Sequence, residues 1–162
     1  RGDLRIRGHE IHGAARFARG EGIWAGNGSV YVACTNGGRS RIGQIWRYHP
    51  SPFEGTDQEA ASPGQLELFV ESPDKLTLLY ADNLVVAPWG DVFVSEDGEG
   101  HDRVIRIDPQ GRCTPFLANR LSSSELTGVC FSPDGNTMFV NEQGSGLTLA
   151  VHGPFRERFA QA

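Results

Sequence analysis

Asn83-Leu84-Val85-Val86-Ala87-Pro88-Trp89-Gly90-Asp91-Val92-Phe93-Val94-Ser95 and Gly128-Val129-Cys130-Phe131-Ser132-Pro133-Asp134-Gly135-Asn136-Thr137-Met138-Phe139-Val140-Asn141 read as one unit written twice. Each has an apolar run, a turn built on Pro and Gly, and a second apolar run ending on a polar residue. Pro88 and Pro133 stand 45 positions apart. A period of roughly 40–45 residues with four short strands per repeat is the pattern of a β-propeller blade. A weaker copy, Gly28-Ser29-Val30-Tyr31-Val32-Ala33-Cys34, lies 62 positions before the Gly90 stretch, and a Pro/Ser/Gly-rich insertion over 50–64 accounts for the excess.

Working outward, further short runs of β-formers appear at Gly43–Tyr48, Leu66–Val70, Val104–Ile107, Thr114–Leu117 and Thr148–Val151. Gly90, Gly111 and Gly135 fall where a tight reversal needs a positive φ. No window carries a sustained helical apolar stripe. The expectation is an all-β chain: a single partial β-propeller domain over 1–162, with about three four-stranded blades at roughly 21–80, 81–126 and 127–155. Propellers close with roughly four to eight blades. Three blades leave a ring open, so its edges should be covered by a missing N-terminal half of the propeller or by self-association.

The 162 residues include 15 Lys+Arg and 20 Asp+Glu, a net charge of −5. No long basic run is present to engage a phosphate backbone, which argues against nucleic acid. No stretch reaches the roughly 20 apolar residues of a bilayer span, and no secretory signal is legible in this chain. Cys34, Cys113 and Cys130 lack paired spacing and read as buried reduced thiols. His9, His12, His49, His101 and His152 form no i, i+4 pair for zinc. Neither a G-x-S-x-G elbow nor a P-loop occurs.

Polar residues at the ends of inner strands converge at the mouth of a propeller channel. The candidates there are Glu21, Asp82, Asn83, Glu96, Asp97, Glu125, Asn141 and Glu142. Carboxylate and amide oxygens suit hard cations, calcium above all, and a cation relieves the repulsion of clustered carboxylates. Each residue also has a structural reading. Glu96-Asp97-Gly98-Glu99-Gly100 reads equally as an exposed acidic turn, Asp82 and Asn83 as turn caps, and Glu125 as a solvated loop residue.

Read in order, Glu21-Gly22, Thr35-Asn36-Gly37-Gly38, Gly43-Gln44-Ile45-Trp46-Arg47-Tyr48, Glu71-Ser72, Asp82-Asn83-Leu84, Ser95-Glu96-Asp97-Gly98, Cys130-Phe131-Ser132-Pro133-Asp134-Gly135 and Phe139-Val140-Asn141 resemble the C-terminal part of the PhoX-type alkaline phosphatases. That resemblance implies part of a six-bladed propeller and hydrolysis of a small phosphomonoester substrate with calcium (Ca2+) and ferric iron (Fe3+) in the channel. It also implies a periplasmic or secreted location. It makes Glu21 and Glu96 the leading metal ligands, followed by Asp82, Asp97 and Glu125, and leaves the catalytic and substrate-binding residues unassigned. The family's N-terminal metal-binding segment is absent from these residues, so the chain alone is expected to be inactive. Alternatives are a calcium-dependent lactonase of the gluconolactonase/regucalcin kind, against which Thr127-Gly128 counts, and a non-catalytic propeller fragment that binds metal or a partner.

Overall fold

The computed structural model describes residues 7–120 and 122–159. It contains three antiparallel sheets laid side by side. The first is β1 (Gly20–Gly26), β2 (Ser29–Cys34), β3 (Gln44–His49) and β4 (Gln65–Glu71); the second is β5 (Ala81–Val86), β6 (Val92–Glu96), β7 (Arg103–Ile107) and β8 (Cys113–Ala118). The third holds β9 (Leu126–Phe131), β10 (Thr137–Glu142) and β11 (Leu147–His152), followed by a short helix α1 (Phe155–Phe159). In each sheet the strands follow one another in chain order, the meander of a propeller blade. The fold is all-β, a partial propeller. Among the described residues the third blade has three strands where four were expected, because chain after β11 turns into α1 instead of pairing along it.

The repeat that suggested blades forms matching hairpins. Gly90 N–H donates to the Ala87 carbonyl and Gly135 N–H to the Ser132 carbonyl, with φ +109° and +76° at the two glycines. Pro88 and Pro133 sit in the corresponding turns. Blade one starts with a strand the pattern analysis missed. Asn27 and Gly28 both take positive φ, 54° and 70°, and join β1 to β2 as a two-residue hairpin turn of the type that Asn-Gly favours. Glu21, at the very start of the expected first blade, therefore lies inside its innermost strand.

Side chains alternate across each sheet, so each blade has two packing faces. Tyr31, Ala33, Ile45 and Val70 of blade one pack against Leu84, Val92, Val94, Ile105 and Ile107 of blade two. The other face of blade two gives Val85, Phe93 and Val104 to a second cluster with Val129, Met138 and Val140 of blade three, closed by Phe155. Trp89, Phe93, Phe116, Phe131 and Phe159 meet mostly edge to face there, and Arg106 lies 4.3 Å over the Phe159 ring. The outward face of blade one carries Ile23, Val32, Trp46 and Leu68 in one cross-strand row, with Ile23 and Leu68 exposed. All three cysteines are free thiols, but only Cys34 is buried; Cys130 is exposed on β9, correcting the expectation of three buried thiols.

The innermost strands touch through their backbones. A Cβ on Gly22 would lie 2.5 Å from the Asp82 carbonyl oxygen and 2.8 Å from the Leu84 nitrogen. Gly22→Ala is expected to force β1 off β5 and cost about 3 kcal/mol, read as a lower urea midpoint. An unchanged midpoint would mean that the two strands separate freely.

Candidate functional site

Every innermost strand carries a β-bulge near the same height. Glu21 and Gly22 together oppose Ala33, Asp82 and Asn83 oppose Ser95, and Gly128 and Val129 oppose Val140. A bulge breaks the strict alternation of side chains and re-aims the extra residue. Here it places Glu21 of blade one beside Asp82 of blade two. Asp97 follows β6, anchored by its N–H to the Tyr80 carbonyl at 3.0 Å, and Glu125 immediately precedes β9.

Four of the five expected metal ligands assemble. Arg19 spans the first junction, with Nε 3.2 Å from Glu21 Oε1 and Nη2 3.4 Å from Asp97 Oδ2. The Asp82 and Glu125 carboxyls lie close enough to hydrogen-bond when one of them carries a proton. Burial, followed by that bond and the charges of Asp97, Asp82 and Asp102, pushes Glu125 up to about 7. Asp82 is also raised, chiefly by burial and then by Glu21 and Asp97, against the opposing pull of its bond with Glu125 and the Arg19 charge. Asn83 Nδ2 donates to Asp82 Oδ2 at 3.2 Å, while its Oδ1 accepts from Thr127 Oγ1 at 2.5 Å and Gly128 N–H at 2.9 Å. Asn83 thus ties the acidic pair to blade three.

Glu96 stands apart from this group. Its side chain is buried, Oε1 accepts from the Leu79 N–H, and both oxygens are gripped by Arg103 at 2.6 Å. Arg103 also donates to the Leu76 and Lys75 carbonyls, pinning the loop that leads into blade two. Two more of the strand-end candidates are taken up by bonds around blade three. Asn141 accepts from Thr148, and Glu142 accepts from Ser122 and Ser145, with the Ser145 hydroxyl first among the bonds that hold its carboxyl down at about 2.

The all-oxygen donors and the repulsion among four carboxyls, offset by one arginine, suit a hard cation. Among the described residues, no group of three or more His, Cys, Asp or Glu side chains is set closely enough to hold a metal ion as it stands. The donor chemistry fits a hard cation; the coordination sphere is incomplete. Arg19 is the member of this constellation that sequence reasoning passed over, although it stands two residues before Glu21, at the entry to β1.

Because Glu125 titrates higher in the folded chain than in the unfolded one, its contribution to stability is complete at low pH and is lost as pH rises through about 7. With divalent ions chelated, the urea midpoint should fall between pH 5 and pH 8, and Glu125→Gln should flatten that fall. An equal fall in both proteins would remove Glu125 as its source. Glu96→Gln, which breaks a buried ion pair, should cost about 3 kcal/mol, measured by the same unfolding curves; a loss below 0.5 kcal/mol would contradict the structural role.

No curated protein matches the sequence. A family model described as "Alkaline phosphatase PhoX" matches residues 3–146, a span that includes every carboxylate of the acidic group and all of the first two blades. The first two blades, the first two strands of the third and the acidic inner-strand positions fall within that match: the chain belongs to the PhoX alkaline phosphatase family.

Proposed function

We propose that this chain forms one side of the metal centre of a phosphomonoesterase, with Asp82 and Glu125 as principal ligands and Glu21 and Asp97 completing its share. The carrying observation is that carboxyls from three successive blades come within electrostatic reach of one another, Glu21 and Asp97 joined by Arg19 and Asp82 paired with Glu125, in a chain of a metal-dependent phosphatase family. Calcium and ferric iron are the proposed ions, both hard cations that accept carboxylate oxygens. When bound, such a cation would polarise the phosphate oxygens and offset the charge that builds up as the ester P–O bond breaks and a P–O bond to water forms.

The chain's own residues do the preparatory work. A proton held by Glu125 against Asp82 must leave before both can serve as anionic ligands, and it leaves as pH rises through about 7. This supports operation on the alkaline side. Arg19 holds Glu21 and Asp97 in place across the blade junction. Asn83 orients Asp82 from one side while binding Thr127 and Gly128 on the other. Glu96 has a different part in this proposal: its pair with Arg103 supports the loop beneath the site.

The exposed apolar row on blade one supports the further proposal that additional blades, completing a six-bladed ring, or another copy of the chain cover that face. Family members are typically periplasmic or secreted, and we propose the same for this protein. No helix among the described residues is long and apolar enough to cross a membrane.

Calorimetric titration of calcium into the chain at pH 8, together with p-nitrophenyl phosphate turnover by the assembled enzyme, tests the reading. Asp82→Asn and Glu125→Gln should each weaken calcium binding about tenfold or more and abolish turnover. Glu96→Gln, assayed where it remains folded, should keep its calcium affinity within about threefold. Undiminished calcium binding in the Asp82 and Glu125 variants would sink the assignment.

A further inference from the structure

The loop between β2 and β3 and the entry to β5 border an open cavity of about 370 Å³ beside the acidic group, lined by Arg19, Asn36, Arg41, Tyr80 and Asp97, of which the first three are exposed. Three of these five residues, Arg19, Arg41 and Tyr80, hold positive φ of 51°, 56° and 50°. The only other non-glycine residue with positive φ among the described residues is Asn27, in its Asn-Gly turn. An arginine or tyrosine pays sterically for this conformation, and it persists where surrounding bonds enforce it. The bonds are present: Thr35 N–H donates to the Arg19 carbonyl, Arg41 N–H to Gly38, Tyr80 N–H to Ile42 at 2.6 Å, and Asp97 N–H to Tyr80.

The donors around the cavity divide into spent and unspent. Arg19 is shared between Glu21 and Asp97, so its charge is largely spent and that of Asp97 is partly offset. Arg41 has no ion pair, and neither its guanidinium, the Asn36 carboxamide nor the Tyr80 hydroxyl has a hydrogen-bond partner among the described residues. A guanidinium, an amide and a phenol, held on constrained backbone around one solvent-filled space, present hydrogen-bond donors and one uncompensated positive charge. Arginine's planar fork matches a tetrahedral oxyanion in two-point contact.

We infer that this cavity is a phosphate-class oxyanion subsite, anchored by Arg41 and assisted by Asn36 and Tyr80. It would hold either the phosphate ester before reaction or the phosphate released afterwards. Its role in turnover rests on the phosphomonoesterase reading, whereas its existence is tested without metal or turnover.

The chain, freed of metal by chelation, is titrated with inorganic phosphate and, in a second arm, with phenylphosphonate, a non-hydrolysable stand-in for an ester. Arginine Nε–H resonances and calorimetry are followed. A saturable shift at Arg41 is expected in at least one arm; tighter phenylphosphonate binding assigns the subsite to substrate, and tighter phosphate binding assigns it to product. Arg41→Gly, which suits the positive φ and so preserves the loop, should weaken binding about tenfold or more. Arg41→Lys should fall between that variant and the parent. Arg39→Ala, on the same loop but outside the cavity, should bind within about twofold of the parent. Unchanged affinity in Arg41→Gly, an equal loss in Arg39→Ala, or the lack of any saturable shift in the folded chain would overturn the subsite. Phosphate binding through Arg41 in a protein that hydrolyses no ester would keep the subsite and discard the proposed function.

Discussion

The contact of the β1 and β5 backbones at Gly22 governs much of what lies around it. Innermost strands of neighbouring blades must converge toward the channel, and at this point the convergence leaves no room for even one methyl group. Close approach brings Glu21 and Asp82, each on a bulge, within electrostatic reach across a blade boundary. A wider spacing would leave the same two carboxyls as separate, solvated surface groups. The acidic site is therefore a product of backbone packing before it is a product of side-chain chemistry.

Convergence has an electrostatic cost, which the structure meets in two ways. Arg19 lies between Glu21 and Asp97, and the raised affinity of Glu125 for a proton lets it pair with Asp82 in the protonated state. Both arrangements are partial: one cation and one proton face four carboxyl groups, and Asp102 adds a further acid nearby, itself raised by burial. Such residual repulsion destabilises the chain without a ligand and makes a cation the natural complement. The neighbouring cavity presents the opposite polarity through Arg41, so acceptors for a cation and donors for an anion adjoin each other.

Much of the fold was legible because the sequence repeats itself with apolar runs of strand length and glycines at the reversals. The Pro88 and Pro133 turns and nearly all strands could be placed from that pattern. The first strand escaped because Gly20-Glu21-Gly22 breaks the apolar run, yet Asn27-Gly28 was available as a hairpin marker. Within the acidic site, residue type was readable but direction was not. Glu96 and Asp97 are adjacent and chemically alike, and neighbouring residues at a strand end face opposite ways. Which of them meets the channel depends on the pairing of β6 with β7, which sets Arg103 next to Glu96. Arg41, Asn36 and Tyr80 were illegible for a related reason: loops distant in sequence bring them together, and no spacing rule connects them.

The two apolar clusters meet in blade two, which gives one face to each. Stability in such an array is a sum over nearest neighbours, and each cluster joins one pair of blades. The acidic residues are distributed along that same line, with Glu21 on blade one, Asp82 and Asp97 on blade two, and Glu125 at the entry to blade three. Opening of either junction therefore dismantles the site while the middle blade is still folded. The working lifetime of the site is set by the weaker of two junctions, and a ligand bridging all three blades would act as a clamp that makes them open and close as one cooperative unit.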